Sequence, residues 1–177
     1  GYSGSGKTWL SSQLMTQLPA IRVRSDVERK RLFDLDETAS SDSKPGTGIY
    51  TKASSARVYD VLIEKAERLL GAGFSVIIDA SFLRRADRPL LVSLADRQNL
   101  DHAILDTSAE RVALEQRLRN RSVDDKEVSE ADIHVLEHQF DTADALTAAE
   151  VERTVRVPTD RDVDIGDVIK SLRSIGE

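Results

Sequence analysis

Apolar and polar positions along the chain follow two periods. Four short runs rich in valine and isoleucine predict buried strands at 20–24, 74–79, 102–106 and 153–157, with turn residues nearby. Helical spacing of apolar residues predicts helices at about 7–18, 26–34, 53–71, 86–98, 108–121, 130–141 and 165–174. The third helix is the clearest. Val58, Leu62, Ala66, Leu69 and Leu70 share one face, and Gly71 and Gly73 end it. Short apolar strands alternating with helices predict an α/β fold, a parallel sheet covered on both faces. Residues 38–48 break the pattern. They form a polar stretch rich in serine and glycine, read either as a lid or as a disordered connector. No internal repeat and no second domain boundary is visible, so residues 1–177 read as one domain.

Composition narrows the classes. The chain is 40% hydrophobic and 32% charged, a globular mixture, with a net charge of −6. That charge, without a polybasic tail, disfavours tight non-specific nucleic-acid binding. No apolar run reaches the length of a membrane span, and no secretory signal is visible. With no cysteine, disulfides, zinc–thiolate sites and cysteine nucleophiles are excluded. The expected location is cytoplasmic.

The first eight residues, GYSGSGKT, satisfy G-x-x-x-x-G-K-[ST] in full. Glycines allow successive backbone N–H groups to converge on one anion, and the helix that follows adds the positive end of its dipole. Ser3, Gly4, Ser5, Gly6, Lys7, Thr8 and Trp9 are therefore candidate nucleotide-binding residues. Lys7 reaches the outer phosphates, and the Thr8 hydroxyl is placed to ligate Mg²⁺. An amphipathic helix follows at once, with Leu10, Leu14 and Leu18 on one face. A loop of this kind ordinarily leaves a buried central strand, and no residue here precedes Gly1. The reading expects a three-layer αβα P-loop fold whose first strand lies outside these residues, the chain being a fragment of a longer polypeptide.

The second-motif strand ends Ile77-Ile78-Asp79-Ala80, with no glutamate to polarise a water. Leu10-Ser-Ser-Gln13 is not the transporter signature, and no guanine-reading Asn-Lys-x-Asp occurs. The last two absences set aside transport ATPases and GTPases, and the missing glutamate favours transfer to a bound hydroxyl rather than to water. Asp79, closing an apolar strand, is a candidate metal ligand through water. In RSDVERKRL, residues 24–32, Ser25 and Glu28 read as a capping box, which places Asp26 at the carboxyl end of a strand. A carboxylate there can take a hydroxyl proton, and Arg29 one turn on can anchor an anionic acceptor. Arg117 and Arg121 share a helix face and read as lid arginines over the transferring phosphate. Thr159, in the loop after the last strand, is a candidate adenine-side residue. Arg57, Arg84, Arg85 and Arg88 are cationic candidates for the acceptor, with Arg57 and Arg88 ranked as substrate-binding.

Together these residues resemble small-molecule and 5′-hydroxyl kinases of the nucleoside-monophosphate-kinase-like P-loop group, which includes polynucleotide kinase, gluconate kinase and zeta toxin. Asp26 and Arg29 look like the base-and-anchor pair of polynucleotide kinase. Arg117, Arg121 and Leu136-Glu-His-Gln139 are similar to the gluconate kinase pattern. SGSGK, RSDVERKRL, VIIDASFLRR and SEAD…VLE, in that order, resemble a P-loop predicted-kinase family over nearly the whole chain. The resemblance implies ATP and Mg²⁺ as cofactors and a small polar acceptor. It also implies an aminoglycoside-phosphotransferase-like domain ahead of this one in the full-length polypeptide. Two other readings stand beside it: a 5′-hydroxyl nucleic-acid kinase, and a non-catalytic ATP-sensing module.

Overall fold

The computed structural model describes residues 1–37, 39, 47–121 and 133–175. Among them, four five-residue strands form two parallel pairs. β1 (Ala20–Arg24) runs beside β2 (Ser75–Asp79), with Arg24 opposite Asp79. β3 (Ile104–Ser108) runs beside β4 (Thr154–Pro158), with Ser108 opposite Pro158. Parallel neighbours need long crossovers, which helices supply. The helices are α1 (Lys7–Met15), α2 (Ser25–Arg31), α3 (Lys52–Gly71), α4 (Pro89–Arg97), α5 (Arg111–Arg121), α6 (Ile133–Thr142), α7 (Ala148–Glu152) and α8 (Ile165–Ile175). A 3₁₀ turn, Gly48–Tyr50, leads into α3.

The two faces of β2 show the layering. Ile77 packs into a cluster with Leu10 and Leu14 of α1, Val157 of β4, and Val168 and Ile169 of α8. Val76 and Ile78 pack instead with Val58 and Leu62 of α3 and with Val23 of β1. Successive side chains of a strand point to opposite faces, so α1 and α8 cover one face and α3 the other. A third cluster, Leu114, Leu118 and Leu136, joins α5 to α6, with Tyr2 and Phe140 packed against it. β2 and β3 are not hydrogen-bonded to each other, and a cleft lined by Lys7, Ser11, Ile77, Asp79, Leu105 and Thr107 separates the pairs. No helix among the described residues is long and apolar enough to cross a membrane.

Three local expectations need correction. β3 begins and ends two residues later than its apolar run suggested, because Thr107 is buried with its hydroxyl satisfied by Ser5. The capping box at Ser25 is absent. Arg24 is the N-cap and makes no side-chain cap, while Glu28 is buried between Lys65 and Arg31 at 2.5 and 2.9 Å. The capping box sits instead at Thr147 and Glu150, opening the short α7 that periodicity missed. Most of 38–48 and the segment between α5 and α6 lie outside the described residues, as does the Arg121 side chain.

Candidate functional site

The opening residues form a loop that closes directly onto α1. Gly6 is the N-cap of α1 in the left-handed region, with φ of 84°. Gly4 has φ of 79°, and a Cβ there would come 3.0 Å from the Leu114 carbonyl oxygen. Both positions need glycine, since an L side chain is strained at such φ. The Lys7 ammonium donates to the carbonyl oxygens of Gly1 at 3.0 Å and Tyr2 at 2.7 Å, folding back across the loop mouth. Ser5 and Thr107 share a buried hydroxyl–hydroxyl bond of 2.7 Å, which fixes the loop to β3.

Three of the predicted nucleotide-side residues converge here. The Thr159 hydroxyl, in the loop after β4, donates to the Ser5 carbonyl oxygen at 3.0 Å. Arg117 of α5 donates to the Gly4 carbonyl oxygen at 3.0 Å, and to the Thr159 hydroxyl and carbonyl oxygens at 3.0 and 2.6 Å. Arg117 thus clasps the phosphate loop to the Thr159 loop, a more specific role than the lid that its spacing suggested. Trp9 is 46% exposed on α1.

The opposite rim is built by the ends of β1 and β2. Asp26 is the second residue of α2, with Oδ2 accepting from Arg24 Nη2 at 2.7 Å and Oδ1 accepting the Val27 N–H at 2.8 Å. Arg24 stands opposite Asp79, whose Oδ2 accepts the Ser11 hydroxyl of α1 at 3.0 Å. Arg22 braces the same helix, donating to Ser11 and Ser12 at 3.0 and 2.6 Å and to the Thr8 carbonyl oxygen at 3.1 Å. Arg22, Arg24 and Ser11 were missed from sequence. Arg22 and Arg24 alternate with apolar residues in a strand, a weak signal of charge on one strand face.

Arg29 lies one turn beyond Asp26. It donates to the Ile49 carbonyl oxygen at 2.9 Å, and its guanidinium sits 5.0 Å from the centroid of the Tyr50 ring. Burial pushes Arg29 below its ordinary range, opposed by Tyr50, Tyr59 and Asp26. Burial and the Asp87 charge push the Tyr59 phenol up. Among the described residues Arg29 has no carboxylate within ion-pairing distance. It is a desolvated cation beside a carboxylate and two tyrosines.

Other predicted cations stand apart. Arg88 is 5% exposed and bound on all sides: Nε to Glu150 at 2.6 Å, Nη2 to the Ala145 carbonyl oxygen at 3.0 Å, and Nη1 to the carbonyl oxygens of Phe82, Leu83 and Asp144 at 3.3 Å. Every nitrogen of its guanidinium is committed to the fold, so its substrate-binding assignment is withdrawn. Arg57 is exposed on α3 with no polar contact to the loop or to Asp26. Arg85 reaches the Asp144 carboxylate through its backbone N–H.

Among the described residues no group of three histidine, aspartate or glutamate side chains could hold a metal. The donors near the loop are hard oxygens, the Thr8 hydroxyl and the Asp79 carboxylate anchored by Ser11. That set suits Mg²⁺, which keeps several waters and takes few protein ligands. It does not suit zinc or a softer metal.

The profile of a family described as AAA domain matches residues 1–146. Uncharacterised proteins of Mycobacterium tuberculosis and Mycobacterium bovis are 32% identical over 82 residues, 46% of this chain and 16% of theirs. The matched part therefore spans about a sixth of the length of those relatives. Two solved structures share the fold. A proposed kinase from Chloroflexus aurantiacus aligns with a TM-score of 0.71 at 19% identity, covering 96% of this chain and 91% of its own. A sugar kinase from Janibacter aligns at 0.68 and 19% identity, covering 98% and 89%. The α/β architecture with parallel strands and a phosphate loop is that of these neighbours.

Proposed function

Because the chain belongs to the AAA domain family, whose phosphate loop binds nucleotide, we propose that it is an ATP-dependent phosphotransferase acting on a hydroxyl of a small polar metabolite. The observation that carries the reading is one series of neighbours along the rim formed by the ends of β1 and β2. Asp26 is paired to Arg24, Arg24 stands opposite Asp79, and Asp79 is tied through Ser11 to the helix that follows the loop. In this reading a carboxylate and a polyphosphate cradle line opposite rims of one site.

In this reading the loop amides and Lys7 bind the β- and γ-phosphates, and Arg117 holds the loop closed against Thr159. Thr8 and Asp79 would hold Mg²⁺, which neutralises phosphate charge. Asp26 accepts the proton of the acceptor hydroxyl as the oxygen attacks the γ-phosphorus and ADP leaves. Arg24 fixes the rotamer of that carboxylate. Arg29, desolvated and without a carboxylate partner among the described residues, binds an anionic or strongly polar group of the acceptor. Arg121, whose side chain lies outside the described residues, is kept in this reading as the lid arginine over the transferring phosphate. The strand end Asp79-Ala80 offers no glutamate to activate water, which favours an alcohol acceptor. The same reading places the chain with small-molecule kinases, cytoplasmic, preceded by an aminoglycoside-phosphotransferase-like domain.

The test is ADP release from Mg-ATP across sugars, sugar acids, aminoglycosides, nucleosides and 5′-hydroxyl oligonucleotides. Acceptor-dependent release, with phosphate recovered on the acceptor, is the expected result. Tight nucleotide binding with no acceptor-dependent release from any of these classes would point to a sensor instead.

A further inference from the structure

Gln139, on α6, touches the phosphate loop from outside the motif. Its side-chain Oε1 accepts the Ser3 backbone N–H at 2.8 Å. The donor is a main-chain amide, so the carboxamide oxygen faces the Ser3 N–H and the NH₂ group beside it is left to donate to a different acceptor. Among the described residues no acceptor is bonded to that NH₂. The amide is planar and short, so its two N–H donors lie within a few ångströms of Ser3.

Ser3 is a half-buried turn residue of the loop. Lys7, which reaches outer phosphates, is held by the carbonyls of Gly1 and Tyr2, the two residues immediately before Ser3. The placement of Gln139 is rigid. Its neighbour Phe140 packs on the Tyr2 ring at 4.6 Å between centroids, and Leu136, one turn earlier, is buried against Leu114 and Leu118. The Phe140 contact registers α6 on the loop and the Leu136 contact fixes α6 to α5, so the carboxamide is held in place before any ligand arrives.

We propose that Gln139 is a nucleotide-contacting residue that reads the outermost phosphate: its oxygen holds Ser3, and its NH₂ donates to an oxygen of the γ-phosphate. This rests on the nucleotide reading above and adds a residue and a specificity to it. An amide already oriented by one bond donates the other at little ordering cost, and a hydrogen bond to a charged acceptor is among the stronger ones. The consequence is discrimination of ATP from ADP.

The experiment is calorimetric measurement of Mg-ATP and Mg-ADP affinity for wild type, Gln139→Met and Gln139→Glu. Gln139→Met removes donor and acceptor without adding charge. Gln139→Glu keeps an acceptor for Ser3 but replaces the donor with a negative oxygen. The ATP-to-ADP affinity ratio should fall about ten-fold in Gln139→Met, and further in Gln139→Glu. A residue that only shaped the loop would weaken both nucleotides equally in Gln139→Met and spare both in Gln139→Glu. An unchanged ratio in Gln139→Met, with wild type binding both nucleotides, overturns this inference and leaves the kinase reading standing. A wild type that binds neither overturns both.

Discussion

Arg24 and Asp26 form an ion pair at 2.7 Å, two residues apart, at the point where β1 gives way to α2. The arginine is the last residue of the strand and the aspartate the second of the helix. Their side chains are 19% and 24% exposed, so the pair is neither a solvated surface contact nor a buried one. Among the described residues the buried Arg24 Nε has no hydrogen-bond partner, so part of the guanidinium is desolvated in this geometry. Such a cost is consistent with a carboxylate whose orientation matters.

The first prediction concerns that pair. Arg24→Met leaves Asp26 charged but unheld, while touching no residue of the phosphate loop. The variant should lower kcat with acceptor by about ten- to a hundred-fold, the scale expected when a general base loses its geometry. Mg-ATP affinity should change by less than about two-fold. Steady-state kinetics with nucleotide titration checks both, and equal loss of kcat and nucleotide affinity would show Arg24 to be merely structural.

Arg117 offers a second prediction. Its three part-buried hydrogen bonds join Gly4 to Thr159, and a hydrogen bond from a charged donor contributes roughly 1.5–3 kcal/mol. Arg117→Ala should therefore cost at least about 2 kcal/mol of stability and weaken nucleotide binding by about ten-fold or more. Denaturant unfolding and calorimetry measure the two effects. Loss of kcat alone, with affinity and stability intact, would return Arg117 to the role of a mobile lid residue.

The third prediction concerns the withdrawn candidate, Arg88. Its bond to Glu150 holds that carboxyl at about 2, well below the usual carboxylate range. A depressed folded-state value stabilises the protein at pH above the unfolded value near 4.5 and loses that contribution as pH falls toward about 2. Wild type should therefore be more stable than Glu150→Gln at neutral pH, with the gap closing between about pH 4.5 and 2. Unfolding free energies of the two proteins across that range test it, and a gap independent of pH would contradict it. Arg88→Ala, which leaves the half-buried Glu150 and the carbonyl oxygens of Phe82, Leu83, Asp144 and Ala145 without their donor, should cost about 3–5 kcal/mol.

These residues show what the sequence made legible. The phosphate loop was readable because its spacing is dictated by chemistry: glycines at 4 and 6 where φ is positive, then a lysine and a threonine opening α1. Parallel strands were readable from valine and isoleucine runs, and β1 falls at the expected residues. Asp26 and Asp79 were legible as carboxylates at strand ends, and register then placed Arg24 beside both. Arg88 was misread because a sequence does not say which arginines turn inward; only the fold brings Glu150 and four carbonyls around it. Glu28 was misread for the same reason, since Lys65 reaches it from α3, 37 residues away. Gln139 was noticed for its pattern but not for its partner, because its contact with Ser3 spans 136 residues.

The most direct test is single-turnover transfer from γ-labelled Mg-ATP to an acceptor found in the screen, comparing wild type with Asp26→Asn. The account predicts that Asp26→Asn binds Mg-ATP with wild-type affinity and transfers label at least about a hundred-fold more slowly. Transfer by Asp26→Asn at the wild-type rate would contradict it.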